Sequence, residues 1–363
     1  KIGDADRKVL MQAPKNGFFY VLDRATGELL SAENFVPINW ASHVDMETGR
    51  PVVTDIGDYS DKAEVIIPGP QGAHNWHPMS YSRQTGLVYI PAQNNVMQYE
   101  DSDAPPEMGL NLWNLGIKEP AITEDADQLR EVSRAFGGSL IAWDPVTQKQ
   151  VWKQEYPYMW NSGLLSTAGN LVFQGNSEGQ VRAFAADTGK ALWSAPSNTG
   201  VVAAPISYDI DGEQYITFMA GWGGSYPLNL AANLQTEVTP SRARVLTYKL
   251  GGKLELPNED GKLLDAAQPP PMTGTPEQVA EGAEVYGTHC WQCHGFNAVG
   301  NAVVQDLRYL NEIQHKNFAA IVKGASKPRG MPSFAHVLDD QAIESLHHYL
   351  ISQSQKLQAM PGE

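Results

Sequence analysis

The chain has 363 residues and a formal net charge of −15. Because its length exceeds that of an average domain, we expect two domains. The negative charge argues against a nucleic-acid partner, whose phosphates would repel it. No apolar run approaches the length of a membrane span, so none is predicted.

Residues 1–250 are predicted to form short β-strands joined by turns. This prediction rests on the composition, with 33 glycines, 24 prolines and a low charged fraction of 18%, which favours many strands and turns. Helical periodicity is weak in this region. The clearest predicted strands are Val9–Gln12, Phe18–Leu22, Leu87–Pro91, Leu140–Trp143, Leu171–Gln174, Val181–Phe184, Gln214–Met219 and Val245–Leu250. Residues 100–135 are acidic and irregular, and we expect a surface excursion there.

Part of this region repeats. A strand followed by a Thr-containing turn and a tryptophan occurs twice, and the two copies end at Trp152 and Trp193, 41 residues apart. A period of about 40 residues is typical of four-stranded propeller blades, in which the tryptophan would fill the wedge between neighbours. The sequence therefore predicts β-propeller blades with these tryptophans as structural residues, and an ordinary β-sandwich is the alternative.

A composition change marks a domain boundary. Residues 251–274 contain two adjacent glycines, a charged stretch and the run Pro269-Pro270-Pro271, which we interpret as a semi-rigid linker. The predicted organisation is a propeller over residues 1–250, a linker over 251–274 and a second domain over 275–363.

The second domain is predicted to be helical. Thr275, Pro276 and Gln278 have the order of an N-cap, a first-turn proline and a capping-box glutamine. Apolar residues then follow at helical spacing up to residue 286. Asp339 is placed to cap a last helix, whose apolar face would contain Ile343, Leu346 and Leu350.

The chemistry-bearing motif of this domain is Cys290-Trp291-Gln292-Cys293-His294, the attachment sequence of a c-type haem. Each thiol can add to one haem vinyl group, and the adjacent His294 can bind the iron. The alternatives are a thioredoxin-like redox pair, which would need a βαβ setting, and a zinc half-site, which would need a second ligand pair. We predict covalent attachment at Cys290 and Cys293, and hence one-electron transfer.

The second axial ligand is predicted to be Met331. It lies in the loop Gly330-Met331-Pro332-Ser333-Phe334 just before the last predicted helix, so its sulfur could reach the haem from the opposite wall. Met331 as an ordinary core-filling side chain is the structural alternative. His315 and His336 are the rival iron ligands, and Met360 lies too close to the terminus to be favoured.

Four segments carry a family resemblance. Residues 11–24, 73–79 and 160–173 and the run Gly221-Trp222-Gly223-Gly224 resemble the quinoprotein alcohol dehydrogenases, which are eight-bladed propellers that hold pyrroloquinoline quinone (PQQ). With the cytochrome-like domain at residues 275–353, the chain is similar to the soluble quinohaemoprotein alcohol dehydrogenases. The resemblance implies a mainly β fold, a partial eight-bladed propeller of about four to five blades plus a small all-α cytochrome c domain. It also implies a periplasmic location.

The resemblance implies a PQQ site as well. Lys15 would bond the quinone oxygens, where a cation stabilises the reduced anionic form. Asn75 and Trp76 would contact the same edge of the cofactor. The pocket would be walled by Trp160 and Trp222, with Gly223 beside the latter. An exposed turn lysine and core-filling tryptophans are the structural alternatives, and His77 is interpreted as a satisfied structural histidine.

The resemblance also implies what lies outside the chain. Family members are about twice as long, and the half upstream of Lys1 is expected to hold the catalytic carboxylate base, the calcium ligands and an adjacent-cysteine ring. The first residues resemble the middle of a fold, so we expect the chain to be the C-terminal part of a longer protein. Alone, it is expected to bind PQQ poorly and not to oxidise alcohols.

Three functions remain open on the sequence. The first is alcohol oxidation with PQQ and electron export through haem c to a blue copper protein or a cytochrome, by a monomer. The second is a non-catalytic electron-transfer module with a propeller docking domain. The third is a haem-containing nitrogen-oxide reductase, for which His43, His74 and His77 are the only candidate propeller ligands. The alcohol and the acceptor are not specified, although the negative charge favours a basic partner.

Overall fold

The computed structural model describes residues 1–3, 5–102, 116–118, 135–223, 243–257, 269–300 and 304–359. These residues divide between two compact units, one ending at Pro257 and the other following it. Most of the predicted excursion at residues 100–135 and part of the predicted linker lie outside the described residues.

The first unit is built of antiparallel strands. Among the described residues these strands are β1 (Val9–Gln12), β2 (Phe18–Asp23), β3 (Leu29–Asn34), β4 (Ala41–Val44), β5 (Pro51–Val53), β6 (Glu64–Ile66), β7 (Ser80–Tyr81), β8 (Val88–Asn94), β9 (Met97–Tyr99), β10 (Gly137–Asp144), β11 (Lys149–Tyr156), β12 (Leu165–Thr167), β13 (Leu171–Gly175), β14 (Gln180–Ala185), β15 (Ala191–Pro196), β16 (Ile206–Ile210), β17 (Glu213–Ala220) and β18 (Arg244–Tyr248).

The strands form successive sheets in chain order. The sheets run β1-β2-β3, β11-β10-β8-β7, β12-β13-β14-β15 and β16-β17-β18, and β4-β5 and β6-β9 are separate pairs. Four sheets of three or four strands, each completed before the next begins, are the arrangement of propeller blades. The predicted fold class is confirmed, with four blades among the described residues.

Apolar side chains from neighbouring sheets form the cores between them. The first two sheets share a core that contains Phe19, Ile90 and Trp143, and the third and fourth share another that contains Phe173 and Phe218. Because each central strand is covered on both faces, β8 is buried along almost its whole length.

The repeat tryptophans pack against the following sheet. Trp152 is buried, its indole N–H donates to the carbonyl oxygen of Ala186 at 2.9 Å, and Gly189 lies so close that an added Cβ would be 2.6 Å from the ring. Trp193 contacts Tyr248 of the next sheet edge-on, with ring centroids 4.9 Å apart, but remains 38% exposed. The fourth sheet places no such glycine against Trp193 among the described residues, so the second wedge is less completely filled.

The second unit is helical. Its described helices are α1 (Pro276–His289), α2 (Trp291–His294), α3 (Glu312–Lys316), α4 (Phe318–Ala320) and α5 (Asp340–Ala359). Both halves of the predicted capping box at Thr275 and Gln278 are present, and Asp339 accepts a hydrogen bond from the backbone N–H of Ala342 at 2.8 Å.

One core joins the long helices α1 and α5. It contains Tyr286 from α1 together with the predicted face of α5, Ile343, Leu346 and Leu350. No helix among the described residues combines the length and apolarity needed to cross a bilayer.

Candidate functional site

Lys15 lies in the turn between β1 and β2, against a loop of residues 68–79 that precedes β7. Its exposed ammonium donates to the carbonyl oxygen of Pro70 at 3.1 Å, and its carbonyl oxygen accepts from the backbone N–H of Ala73 at 2.9 Å. Gly72 has φ +77°, and a Cβ there would lie 2.6 Å from the Cα of Lys15. Only glycine therefore allows this close approach.

The same loop contains Asn75, which stabilises the loop itself. Its side-chain amide donates to the carbonyl oxygen of Gln71 at 3.0 Å, and its oxygen accepts from the backbone N–H of Trp76 at 2.9 Å. Gln93 donates to the same Gln71 oxygen at 3.0 Å, and Asn95 donates to the carbonyl oxygen of Gly72 at 2.8 Å. The loop is thus fixed to the strand β8 and the residues after it.

Three rings form an aromatic cluster beside this loop, Trp76, His77 and Trp160. Trp76 is 53% exposed and stacks on His77 with ring centroids 4.1 Å apart. Trp160 meets His77 edge-on at 5.1 Å and lies 6.1 Å from Trp76. Trp160 has φ +62°, an unusual conformation for a bulky residue, and such strain is most often found at functional sites.

The interpretation of His77 as a satisfied histidine is wrong. The ring is 2% exposed, and its Nε2 atom has no hydrogen-bond partner among the described residues. Burial lowers the pKa of His77 to about 3, so the ring is neutral. A buried polar atom without a partner requires an explanation, and a bound ligand or water is a usual one. The position of this histidine between two tryptophans could not be seen in the sequence.

His74, three residues earlier, is occupied by the backbone. Its two ring nitrogens contact the carbonyl oxygens of Ala13 and His77. Burial lowers the pKa of His74, although these two carbonyl contacts act in the opposite direction. A ring held at both nitrogens has none left to bind a metal, which disfavours a second haem at this position.

Trp222 and Gly223 follow β17 in the fourth sheet. Trp222 is fully buried, and an added Cβ at Gly200 would overlap with its ring. Gly223 has φ +65°. The described contacts therefore bring Lys15, Asn75, Trp76 and Trp160 together around one loop, whereas Trp222 is packed in the interior.

The two cysteines lie at the junction of α1 and α2. Cys290 ends α1, and the backbone N–H of His294 donates to its carbonyl oxygen at 3.0 Å. Burial raises the pKa of Cys290. The segment joins two helices of a helical unit, so the βαβ setting of a thioredoxin-like redox pair is absent among the described residues. Among the described residues, no group of three or more His, Cys, Asp or Glu side chains converges as a metal site.

His294 has the orientation that an iron ligand needs. Its Nδ1 atom lies 3.0 Å from the carbonyl oxygen of Gln305. Because a carbonyl oxygen only accepts, Nδ1 must hold the proton, which leaves the Nε2 lone pair for a metal. Burial also lowers the pKa of His294 and favours the neutral ring. The residues present therefore fit a covalently attached haem.

Met331 lies in a loop that is fixed to the core of the second unit. The hydroxyl of Ser333 donates to the carbonyl oxygen of Lys323 at 2.7 Å. The backbone N–H of Phe334 donates to the carbonyl oxygen of Val322 at 3.0 Å. Met331 and Cys290 pack against the same apolar core. The ring of Phe334 is also 6.1 Å from that of His289, next to Cys290, so the two segments face each other.

The rival ligands differ in their settings. His315 is buried, its Nδ1 atom is 2.8 Å from Nε2 of His347, and its own Nε2 has no hydrogen-bond partner among the described residues, so it remains a rival to Met331. His336 is exposed to solvent. Met360 lies outside the described residues.

Two family models match the chain. The model described as "Glucose/ethanol/alcohol dehydrogenase, beta-propeller domain" matches residues 138–216, and the one described as "Cytochrome C oxidase, cbb3-type, subunit III" matches residues 277–350. The quinohemoprotein alcohol dehydrogenase ADH-IIG of Pseudomonas putida is 46% identical over 357 residues, which cover 97% of this chain and 49% of that protein. The chain is homologous to the quinohaemoprotein alcohol dehydrogenases.

Other relatives and a solved structure agree with this homology. The 1-butanol dehydrogenase (cytochrome c) of Thauera butanivorans is 39% identical over 376 residues, which cover 97% of this chain and 50% of that protein. The solved structure of the quinohemoprotein alcohol dehydrogenase ADHIIG from Pseudomonas putida HK5 has a TM-score of 0.93 at 44% identity, covering 99% of this chain and 53% of that one. The chain spans about half the length of the curated relatives it matches. The predicted resemblance is confirmed, and the two family matches indicate PQQ and haem c as the cofactors.

Proposed function

We propose that this chain is the electron-exporting part of a PQQ-dependent alcohol dehydrogenase, which oxidises an alcohol to an aldehyde or ketone and passes electrons singly through haem c to an external acceptor. One observation carries the proposal. A single chain combines the loop and aromatic cluster around Lys15 with a Cys-X-X-Cys-His segment whose His294 keeps Nε2 available.

In the second unit, Cys290 and Cys293 would hold the porphyrin by thioether bonds, and His294 and Met331 would bind the iron. The Gln305 carbonyl oxygen orients His294 through Nδ1. The hydrogen bonds of Ser333 and Phe334 hold the Met331 loop in place. This unit, residues 275–363 with the linker 251–274 before it, is the relay.

In the first unit, over residues 1–250, Lys15 supplies the positive charge that would stabilise the reduced quinone, and the loop bonds of Asn75 keep Trp76 beside it. Trp160 would exclude water on the other side of His77, and Trp222 with Gly223 would complete the wall. When bound, PQQ supplies the two-electron oxidation of the alcohol. The catalytic base and the ligands of a calcium ion would come from residues outside this chain.

The setting follows from the haem. Its attachment outside the cytoplasm supports a periplasmic location, and we propose a monomer with a small alcohol as substrate. A small blue copper protein or a cytochrome would be the acceptor. The names of the relatives do not specify which alcohol this protein would oxidise.

The test is alcohol-driven reduction of the haem in the full-length protein. With PQQ, calcium ions and ethanol added, the α band of the reduced haem should appear, and Lys15→Ala should reduce its rate of appearance by about 10²-fold or more, by analogy with removing one electrostatic donor at a reacting oxygen. Dithionite should still reduce the haem of this variant fully. Lys190→Ala, an exposed lysine of the same unit, is the matched control.

Three results would contradict parts of the proposal. If the denatured full-length protein releases no quinone, the PQQ assignment is refuted and the non-catalytic electron-transfer module is supported. If acid acetone extracts the haem, the haem is not covalently attached and the proposed relay is refuted. Equal rates for Lys15→Ala and Lys190→Ala would remove Lys15 from the cofactor site.

A further inference from the structure

The charge of the chain is unevenly distributed. Residues 313–338, which we call the basic segment, contain four of the 26 Lys and Arg residues of the chain and none of its 41 Asp and Glu residues. The basic residues are Lys316, Lys323, Lys327 and Arg329. Met331, the proposed iron ligand, lies inside this segment, although the chain as a whole carries −15.

These charges lie at the surface and are mostly unbalanced. All four side chains belong to exposed residues. Lys323 pairs with Asp340, whereas none of the ion pairs among the described residues includes Lys316, Lys327 or Arg329. Lys327 and Arg329, which directly precede the Met331 loop, therefore contribute a positive potential beside it.

The backbone brings two of them next to the Met331 loop. Lys327 and Arg329 form a short turn that closes at Gly330, whose N–H donates to the Lys327 carbonyl oxygen at 3.1 Å. Met331 follows immediately. Next to it, Pro332 is exposed, whereas Ala335 lines a surface groove with Glu281 and Asp339. A small apolar surface bordered by unpaired charges is the composition of a protein docking site.

We infer that the basic segment is the docking surface for the electron acceptor and that this acceptor presents an acidic face. The inference rests on the proposed haem ligation by Met331, because that side chain connects this surface to the iron. Opposite charges would steer the encounter and orient the partner, which matters more for the association rate than for affinity. The local charge favours an acidic partner, in contrast to the basic partner suggested by the net charge.

The test uses the full-length protein with its haem reduced by dithionite, so it does not depend on PQQ or an alcohol. Oxidation is followed by stopped flow with ferricyanide, a trianion, and with a cationic cobalt(III) complex. At low ionic strength the double variant Lys327→Glu, Arg329→Glu should be oxidised about tenfold more slowly by ferricyanide and faster by the cationic complex. Both effects should vanish in about 1 M salt.

A charge-matched control separates local from global charge. Lys190→Glu with Lys149→Glu changes the net charge equally at exposed positions of the first unit, and should alter both rates less than twofold. An unchanged α band in each variant verifies that the haem site is intact. If the two double variants behave alike, the basic segment is not the site of electron exit and the inference is overturned.

A protein acceptor gives the second measurement. An acidic blue copper protein should oxidise the haem about tenfold faster at low salt than a charge-neutralised variant of the same potential. The Lys327→Glu, Arg329→Glu protein should lose this difference. Equal rates for the two acceptors with the wild-type protein would refute an acidic partner.

Discussion

The two units assemble their candidate sites in different ways. In the second unit, three of the four proposed haem residues fall within the five residues from Cys290 to His294. In the first unit the site residues come from distant parts of the chain: Lys15 contacts the loop that carries Trp76, and Trp160 lies 6.1 Å from Trp76. Changes in packing between sheets should therefore disturb the first site strongly, whereas a local change in the second unit should have a small effect.

The strongest test of this difference is Trp152→Ala. Trp152 joins two sheets by packing against Gly189 and by its bond to Ala186, so its removal leaves a cavity and removes one of the two hydrogen bonds to the Ala186 carbonyl oxygen, which also accepts from the Tyr89 hydroxyl. The free energy of unfolding of the first unit should fall by about 3–5 kcal/mol. Denaturant unfolding followed by tryptophan fluorescence measures the loss.

Trp193→Ala is the matched control, since it removes the equivalent residue of the second repeat. Trp193 is 38% exposed, so its loss should cost less than half as much. Equal costs for the two variants would show that inter-sheet packing does not distinguish the repeats.

The second test is Gly72→Ala, with Gly86→Ala as control. Both glycines have positive φ, so any other residue costs about 1–2 kcal/mol at either position. Only at Gly72 would the added Cβ also strike Lys15, which adds about 1–3 kcal/mol of overpacking. In the full-length protein, Gly72→Ala should also weaken PQQ retention, measured by absorbance after gel filtration, and Gly86→Ala should not. Similar retention would mean that the loop does not position Lys15.

The difference between a locally assembled site and one assembled from distant segments also explains how well the sequence predicted each unit. The helix bounds near Thr275 and the haem segment depend on residues within a few positions of one another, so capping rules and motif spacing identified them. Eight of the eighteen described strands were also predicted, because alternation is local. The neighbours of His77 were not, because its contact with Trp160 spans 83 residues and depends on the sheet arrangement. The resemblance predicted Trp76 and Trp160 as site residues, but not the ring between them.

His77 provides a pH-dependent test of the first unit. Its pKa is about 3 in the folded protein and near its usual value of 6.5 when unfolded, so unfolding takes up a proton as the pH falls. The stability is fully present above pH 6.5 and is lost towards pH 3, at about 1.4 kcal/mol per pH unit. In urea unfolding, the free energy of unfolding of the wild type should fall between pH 7 and pH 5 by about 2 kcal/mol more than that of His77→Phe. His43→Phe, at an exposed histidine, is the control, and an identical pH dependence in the wild type and His77→Phe would contradict the assignment.

The smallest expected effect is in the second unit, at the first turn of α1. Thr275→Ala removes the hydroxyl that accepts from the backbone N–H of Gln278, so helix stability should fall by about 1 kcal/mol. Thr288→Ala is the matched control, because that hydroxyl donates to the Glu284 carbonyl oxygen within the same helix and its loss should be neutral or slightly stabilising. Thermal unfolding followed at the haem absorbance measures both. Because the Cys290–His294 segment depends on local structure, neither variant should change the haem spectrum at 25 °C. A changed spectrum in Thr275→Ala alone would show that the capping box also helps to form the haem site.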